Sequence, residues 1–299
     1  MRYGFVGLGN LGAPLARNLF RRGFDLTVHD TSRANAESLV AAGAAWASSP
    51  AELAGRSDAV ITCLPSPAVS ERVLREILPK LSSASTWIEM STLGRDEILR
   101  LAAVAKEHGI NTLELPVTGG VHLAAKGEIT LLAGGDAELI ALHRPALQAL
   151  GGQLFHMGPV GSAAVMKVIT NMLAFIHLVA DGEALMLAKR GGLDLAQAWA
   201  AIRASSGNSF VHETEGQLIL SGSYDIAFTM DLALKDLGFA MNFGRELGVR
   251  LDLAGLTRET FERARSAYGG GAQSTGVVRL LEDALDTNLR APGFPARLE

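Results

Sequence analysis

Two stretches of this 299-residue chain combine reactive or ligand-holding residues with a defined order. The first is Gly7-Leu8-Gly9-Asn10-Leu11-Gly12, which follows the apolar run Tyr3 to Val6 and precedes a helix-like stretch, a second apolar run and the acid Asp30. In such an order the first glycine permits a tight turn, the second lets backbone approach a pyrophosphate, and the third lets a helix pack close to a sheet. The phosphates then face the helix N-terminus, which favours negative charge. Asp30, at the end of the second strand, would accept both ribose hydroxyls of an adenosine and repel a 2′-phosphate, which predicts NAD in preference to NADP. Thr31 brings no guanidinium to hold that phosphate, while Arg33 keeps NADP possible.

The second stretch is Gly158-Pro159-Val160-Gly161 followed by Lys167 and Asn171. Lysine and asparagine at i and i+4 share one face of a helix, here just past a glycine-rich hinge of the kind that joins domains, where ligand clefts are favoured. An ammonium on an otherwise apolar helix costs free energy unless it is paired or used. Burial and a nearby oxidised nicotinamide would both lower its pKa toward the range useful for proton transfer. Read alone, the same lysine also fits a side chain that snorkels to solvent.

These residues need a scaffold, and the pattern of apolar runs supplies one. Strands are expected at Tyr3 to Val6, Leu26 to His29, Ala59 to Cys63, Thr86 to Glu89, Asn111 to Leu115, Thr130 to Ala133 and Gln153 to His156, most of them separated by segments of helical length. Such βα alternation predicts an α/β fold, a Rossmann-type doubly wound parallel sheet with helices on both faces. Ser49-Pro50 with Glu52, and Asp136 with Glu138, read as helix starts. From Gly161 onward helical periodicity takes over. One continuous helix from about Ser162 to Arg190, about 40 Å long, suits a spine between two domains. Further helices are expected at Leu195 to Ala204, Val211 to Leu220, Leu232 to Leu247, Leu253 to Ala267 and Val277 to Leu285. The expected domains are therefore residues 1–160, binding the dinucleotide, and an all-α region 161–299 that completes the substrate cleft and self-associates. The tail Arg290 to Glu299, with two prolines, is expected to be loosely ordered.

Composition narrows the partners. Apolar residues make up 48% and charged residues 19%, which describes a chain that buries a core. A net charge of −4 leaves no basic stripe for nucleic acid. The single cysteine, Cys63, fits a buried strand thiol in a reducing compartment. No signal-peptide pattern is visible, so a cytoplasmic location is expected. The apolar stretch Ala163 to Ala188 carries Lys167, Asn171, His177, Asp181 and Glu183, which argues for a core helix and against a membrane span. The seven histidines lack ligand spacing, so no metal is expected.

GLGNLGAPLARNL, residues Gly7 to Leu19, resembles the signature of the β-hydroxyacid dehydrogenases, the 3-hydroxyisobutyrate dehydrogenase group that includes tartronate semialdehyde and sulfolactaldehyde reductases. Three further blocks agree in order: Leu115 to Gly120, Gly158 to Asn171, and FTMDLALKDL from Phe228 to Leu237. The resemblance implies hydride exchange between a nicotinamide and a small anionic β-hydroxy acid or its semialdehyde, while the long helix and apolar helical region suggest a homodimer or homotetramer. It implies Lys167 as general acid/base and Asn171 as its partner in holding substrate. Thr118, Gly119 and Gly120 would grip the substrate's acidic group. Leu64, Pro65 and Thr92 resemble cofactor contacts, beside Gly7, Leu8, Gly9, Asn10, Leu11, Gly12 and Asp30. Lys235 resembles a residue that reaches cofactor or substrate, although by itself Lys235 beside Asp236 reads as an ordinary solvated pair.

The chain departs from that family where Thr118 replaces the usual serine and Glu114 the usual aspartate, which lengthens a side chain near the loop. His122 and Lys126 are less usual and would favour a substrate with a second anionic or polar group, unless they are simply exposed. A 6-phosphogluconate-type enzyme would need a cation cluster for its phosphate. An imine reductase would usually lack Lys167. A non-catalytic NAD-binding sensor would have no use for the Lys167 and Asn171 pair.

Overall fold

The computed structural model describes residues 1–298. Strands β1 (Arg2–Val6), β2 (Asp25–His29), β3 (Ala45–Trp46), β4 (Ala59–Thr62), β5 (Thr86–Glu89), β6 (Asn111–Glu114), β7 (Val117–Thr118), β8 (Thr130–Gly134) and β9 (Gln153–Gly158) form one sheet. Its order is β3-β2-β1-β4-β5-β6-β8-β7, with β9 on the other side of β8. Neighbours from β3 to β6 are parallel. The chain reverses its direction of travel across the sheet between β1 and β4, which is the switch point where open α/β sheets bind ligands.

Side chains alternate across this sheet as a two-residue period requires. Phe5, Ile61 and Ile88 enter one apolar cluster with Leu15 and Leu19 of α1 (Gly12–Arg21). Between α1 and the next long helix come two short ones, α2 (Glu37–Ala41) and α3 (Pro50–Ala54). Val60 and Trp87 point the other way, into a cluster with Leu53 of α3, Leu74 and Ile77 of α4 (Pro67–Ile77), and Ile98 and Leu101 of α5 (Arg95–Glu107). Helices therefore cover both faces. The Ser49 hydroxyl accepts the Glu52 N–H to start α3. Asp136 accepts the Glu138 N–H to start α7 (Ala137–Leu150).

The doubly wound, parallel-dominated sheet is as expected, with an antiparallel strand added toward one edge. β8 runs antiparallel to both β6 and β7. The link between β7 and β8 contains only α6 (Val121–Lys126), six residues long. A parallel crossover takes a dozen or more residues, roughly, for the connection itself, so this short link turns the chain back. β3 and β7, each two residues long, were not anticipated because so short a run carries no period.

Residues 1–167 form one compact unit and residues from Val168 onward another, the division falling inside α8 (Ser162–Arg190). The second unit contains α9 (Leu195–Arg203), α10 (Phe210–Ser221), α11 (Met230–Glu246), α12 (Asp252–Tyr268) and α13 (Arg279–Ala284). The helix expected over Val277 to Leu285 is split, with a 3-10 turn at Ser274–Val278 ahead of α13. α8 is long and apolar enough to cross a membrane by length and composition. Its Phe175, Leu178, Leu185 and Met186 nevertheless sit in the helical core, and its Asp181 pairs with the buried His212 at 2.5 Å.

The tail is not loose where the structure describes it. Arg290 pairs with Glu282 at 2.9 Å, the Ala291 N–H donates to the Leu220 carbonyl, and Phe294 packs edge-on against Trp199. Leu289, just before it, is fully buried. Leu220 and Trp199 lie far back in the chain, so local composition could not reveal them.

Candidate active site

The glycine turn lies at the switch point, and each of its glycines has a different surrounding. A Cβ on Gly7 (φ +96°) would lie 2.3 Å from the Cys63 carbonyl oxygen, so this residue lets the β4 loop come close. A Cβ on Gly12 would lie 1.9 Å from the Gly7 oxygen, which is what allows α1 to start hard against the turn. Gly9 is different: nothing lies within 4 Å of its Cβ position. The protein's own packing does not require a glycine there, whereas close approach of a pyrophosphate to its backbone does. The cradle therefore fits a dinucleotide. Leu8 is buried in this turn, while Asn10 is exposed and Leu11 half-buried.

Asp30 follows β2 and turns back to this loop. Its Oδ2 accepts the Leu8 N–H at 2.7 Å, and its Oδ1 accepts the Ser32 N–H at 2.8 Å and the Asn35 side-chain N–H at 3.1 Å. With three of about four acceptor sites taken, the carboxylate stands beside the turn with room on Oδ2 for a sugar hydroxyl. The Arg33 guanidinium lies over the Trp46 ring, 5.7 Å from its centroid.

Leu64 and Pro65 follow β4, and Thr92 follows β5. The Ser91 hydroxyl accepts the Leu64 N–H at 2.7 Å, and Glu89 accepts the Ser91 N–H at 2.6 Å and the Thr62 hydroxyl at 3.1 Å. One buried carboxylate thus ties both loops together. Neither Glu89 nor Ser91 was anticipated, although an acid inside an apolar strand was a signal, since burying it costs free energy unless it is satisfied. Burial lifts the Glu89 carboxyl from an ordinary 4.5 to about 7, against the opposing pull of its hydrogen bonds to Ser91, Thr62 and Ser70. Burial, reinforced by Glu89, pushes the Cys63 thiol up to about 12, so it remains protonated.

A testable pH dependence follows. An acid with a raised pKa in the folded state contributes stability that is fully present below about 4.5 and lost as pH rises through about 7. From pH 5 to 8 the protein should lose on the order of 2–3 kcal/mol through Glu89. Urea melts of Glu89→Gln should show a correspondingly shallower decline, and an unchanged decline would contradict the assignment.

Thr118 ends β7, and Gly119 and Gly120 follow it with φ of +123° and +88°, conformations an L side chain rarely takes. β7 and β6 both run antiparallel to β8, so this loop lies past the same carboxyl edge as the glycine turn, Asp30, Leu64 and Thr92. The His122 ring packs 3.2 Å from the Cβ position of Gly120. Burial first, and Lys126 second, hold its pKa below the ordinary imidazole value, so near neutral pH it offers a polar N–H and not a standing cation. Lys126 is exposed.

Glu114 does not reach the loop beside which the sequence placed it. Its Oε1 accepts the N–H groups of Gly161 and Ala163 at 2.8 and 2.7 Å, at the start of α8. Lys167 follows within the next turns and is 8% exposed. Asn171 stands one turn further along the same helix and donates to Asp236 Oδ2 at 2.6 Å. Asp236 also receives the Lys235 ammonium, at 2.6 Å on Oδ1, and its side chain is 1% exposed. Lys235 and Asp236 are therefore not a solvated surface pair, and Lys235 also lies over the Phe239 ring at 5.0 Å.

Two family models cover almost the whole of this arrangement. Residues 2–158 match the NAD binding domain of 6-phosphogluconate dehydrogenase, and residues 161–281 match the NAD-binding model of NADP-dependent 3-hydroxyisobutyrate dehydrogenase. The chain belongs to the β-hydroxyacid dehydrogenase family. It is accordingly an NAD(P)-binding oxidoreductase of CH–OH groups. The chain is similar to a 2-(hydroxymethyl)glutarate dehydrogenase of Eubacterium barkeri, with 30% identity over 94% of this chain and 95% of that one. It is similar to an NAD-dependent L-serine dehydrogenase of Pseudomonas aeruginosa, with 34% identity over 79% and 83%. Among solved structures, a 3-hydroxyisobutyrate dehydrogenase from Salmonella typhimurium superposes with a TM-score of 0.88 at 29% identity, covering 94% of this chain and 99% of that one.

Proposed function

We propose that the chain oxidises a small β-hydroxy acid with NAD, or reduces the corresponding semialdehyde, using Lys167 as the acid/base. The observation that carries this reading is the Lys167 ammonium itself, 8% exposed on α8, with Asn171 one helical turn away and tied to Asp236. A lysine so buried at the start of an apolar helix must be paired or used, and its place one turn from Asn171 on one helix face suits proton transfer to a held substrate.

When bound, the nicotinamide takes up or gives back the hydride. The protein's share is orientation and a proton route. In oxidation the Lys167 Nζ accepts the substrate hydroxyl proton, and in reduction it returns that proton to the forming alkoxide. Asn171, steadied by Asp236, holds the substrate on the same helix face. The Thr118 hydroxyl and the backbone N–H groups of Gly119 and Gly120 receive the acidic group. Gly7 to Gly12, Asp30, Leu64, Pro65 and Thr92 hold the dinucleotide, and Lys235 reaches it or the substrate.

The relatives' names support this substrate class, because 2-(hydroxymethyl)glutarate and L-serine both carry a hydroxyl on the carbon β to a carboxylate. A sensor that binds NAD without turnover would have no use for the Lys167 and Asn171 pair. Location in the cytoplasm and assembly into a homodimer or homotetramer belong to the same reading. Leu173 and Leu187 of α8, 43% and 76% exposed, give a second copy apolar surface to cover. The test is a panel of small hydroxy acids and semialdehydes, carboxylates and sulfonates, assayed with NAD(H) and NADP(H) in parallel. Turnover confined to non-acidic alcohols would overturn the proposal.

The preference for NAD rests on Asp30. Replacing Asp30 with alanine should weaken NAD binding by about 10- to 100-fold, the worth of charge-assisted hydrogen bonds, while NADP binding weakens less or improves. Titration of both dinucleotides by fluorescence checks this, and equal losses for the two would contradict the role.

A further inference from the structure

Glu114 takes no part in the reaction described above, yet the sheet grips the start of α8 through its carboxyl group. Glu114 ends β6 and is 1% exposed. Its Oε1 accepts the N–H groups of Gly161 and Ala163, two donors at a helix start that lack partners within the helix. A carboxylate there also complements the positive end of the helix dipole. On the adjacent strand Gly134 is the register partner of Glu114, and a Cβ at Gly134 would lie 2.0 Å from Oε1. The missing side chain makes the room that the longer acid fills.

This arrangement is held at a cost. Glu114 Oε2 is buried with no hydrogen-bond partner among the described residues. Burial lifts the carboxyl from 4.5 to about 7, against the pull of the helix N–H groups. The segment that it steadies is otherwise permissive, since Gly158 and Gly161 have φ of +128° and +98°. Ala163, whose N–H Glu114 holds, and Lys167 are i and i+4, so they stack on one face of α8.

We propose that Glu114 is a positioning residue: by anchoring the first turn of α8 to β6 it sets where the Lys167 amine points. This rests on Lys167 being the acid/base. Misplacing a catalytic group by an ångström costs up to about 100-fold in rate, which is the scale of effect expected.

The test compares Glu114→Met, which keeps chain length and removes both oxygens, with Glu114→Gln, which keeps one acceptor and mimics the protonated acid. Hydrogen exchange of the peptide spanning residues 159–168 is followed in the protein without added dinucleotide. NAD affinity, kcat and KM are measured with the panel acid that wild type turns over fastest. Glu114→Met should exchange faster in that peptide and lose roughly 10- to 100-fold in kcat, with NAD affinity within about threefold, and Glu114→Gln should restore both. Unchanged exchange, unchanged kcat, or loss of NAD binding in step with kcat would overturn the proposal. If Glu114→Met does not fold, Glu114→Gln decides: near-wild-type exchange with kcat within about threefold supports it, and a larger fall in kcat at unchanged exchange contradicts it. Should wild type turn over no acid on the panel, the role of Lys167 fails, while the exchange arm still reports whether Glu114 holds α8.

Discussion

Lys167→Ala should lower kcat by about 10²- to 10⁴-fold, the usual worth of a positioned acid/base, and leave NAD affinity within about threefold. The two effects separate because the proposed dinucleotide contacts are the glycine turn, Asp30 and the loops after β4 and β5, whereas the amine is on α8. KM for the acid should change less than kcat, since the amine gains its hold in the transition state, where the proton is in flight. Urea melts of the variant provide the control that a fall in kcat does not come from loss of the folded state. Steady-state kinetics with a dinucleotide titration distinguishes the cases. Residual turnover that merely tracks NAD occupancy would assign Lys167 to cofactor binding.

The second large effect contrasts two glycines of one turn. In Gly9→Ala the new methyl group meets no atom of the protein within 4 Å. Stability should stay within about 0.5 kcal/mol of wild type, as for an unobstructed surface substitution. NAD affinity should nevertheless fall by about 10- to 100-fold, because the methyl group occupies the surface that a pyrophosphate approaches. In Gly12→Ala the methyl group would sit 1.9 Å from the Gly7 carbonyl oxygen, a backbone atom that no rotamer change can move. α1 must then shift, with a stability loss of about 1–3 kcal/mol typical of overpacking and a cofactor loss at least as large as that of Gly9→Ala. Melting curves and dinucleotide titrations on both variants provide the check. Equal destabilisation by the two substitutions would mean that the glycines do not divide the work in this way.

Much of the fold could be read directly because its signals are local. Tyr3 to Val6, Ala59 to Thr62 and Thr86 to Glu89 are short apolar runs whose side chains alternate between two clusters, and α8 spans Ser162–Arg190 as its periodicity predicts. Ser49 and Asp136 cap the helices they announce. The features that escaped depend on partners distant in sequence. Pro116 has no N–H to give a ladder, so the two residues of β7 were hidden until β8 lay beside them. Asp236 looks like a surface acid next to Lys235, and only the packing of α8 near α11 makes it the buried acceptor of Asn171. Glu114 stands out in the sequence near the Thr118 loop, but the N–H groups it holds are 47 and 49 residues further along the chain. Glu89 bonds locally to Ser91, yet its role as the tie between two loops needed Thr62 from the neighbouring strand.

The most direct test of the account restores the missing group from solution. Lys167→Ala, saturated with NAD and the preferred hydroxy acid, is assayed with increasing concentrations of small primary amines. If Lys167 moves the substrate proton, turnover should rise with amine concentration, saturate, and depend on the basicity of the amine at constant size. Failure of every amine to raise turnover, in a variant that binds NAD and acid as wild type does, would contradict the assignment of Lys167 on which the proposed mechanism stands.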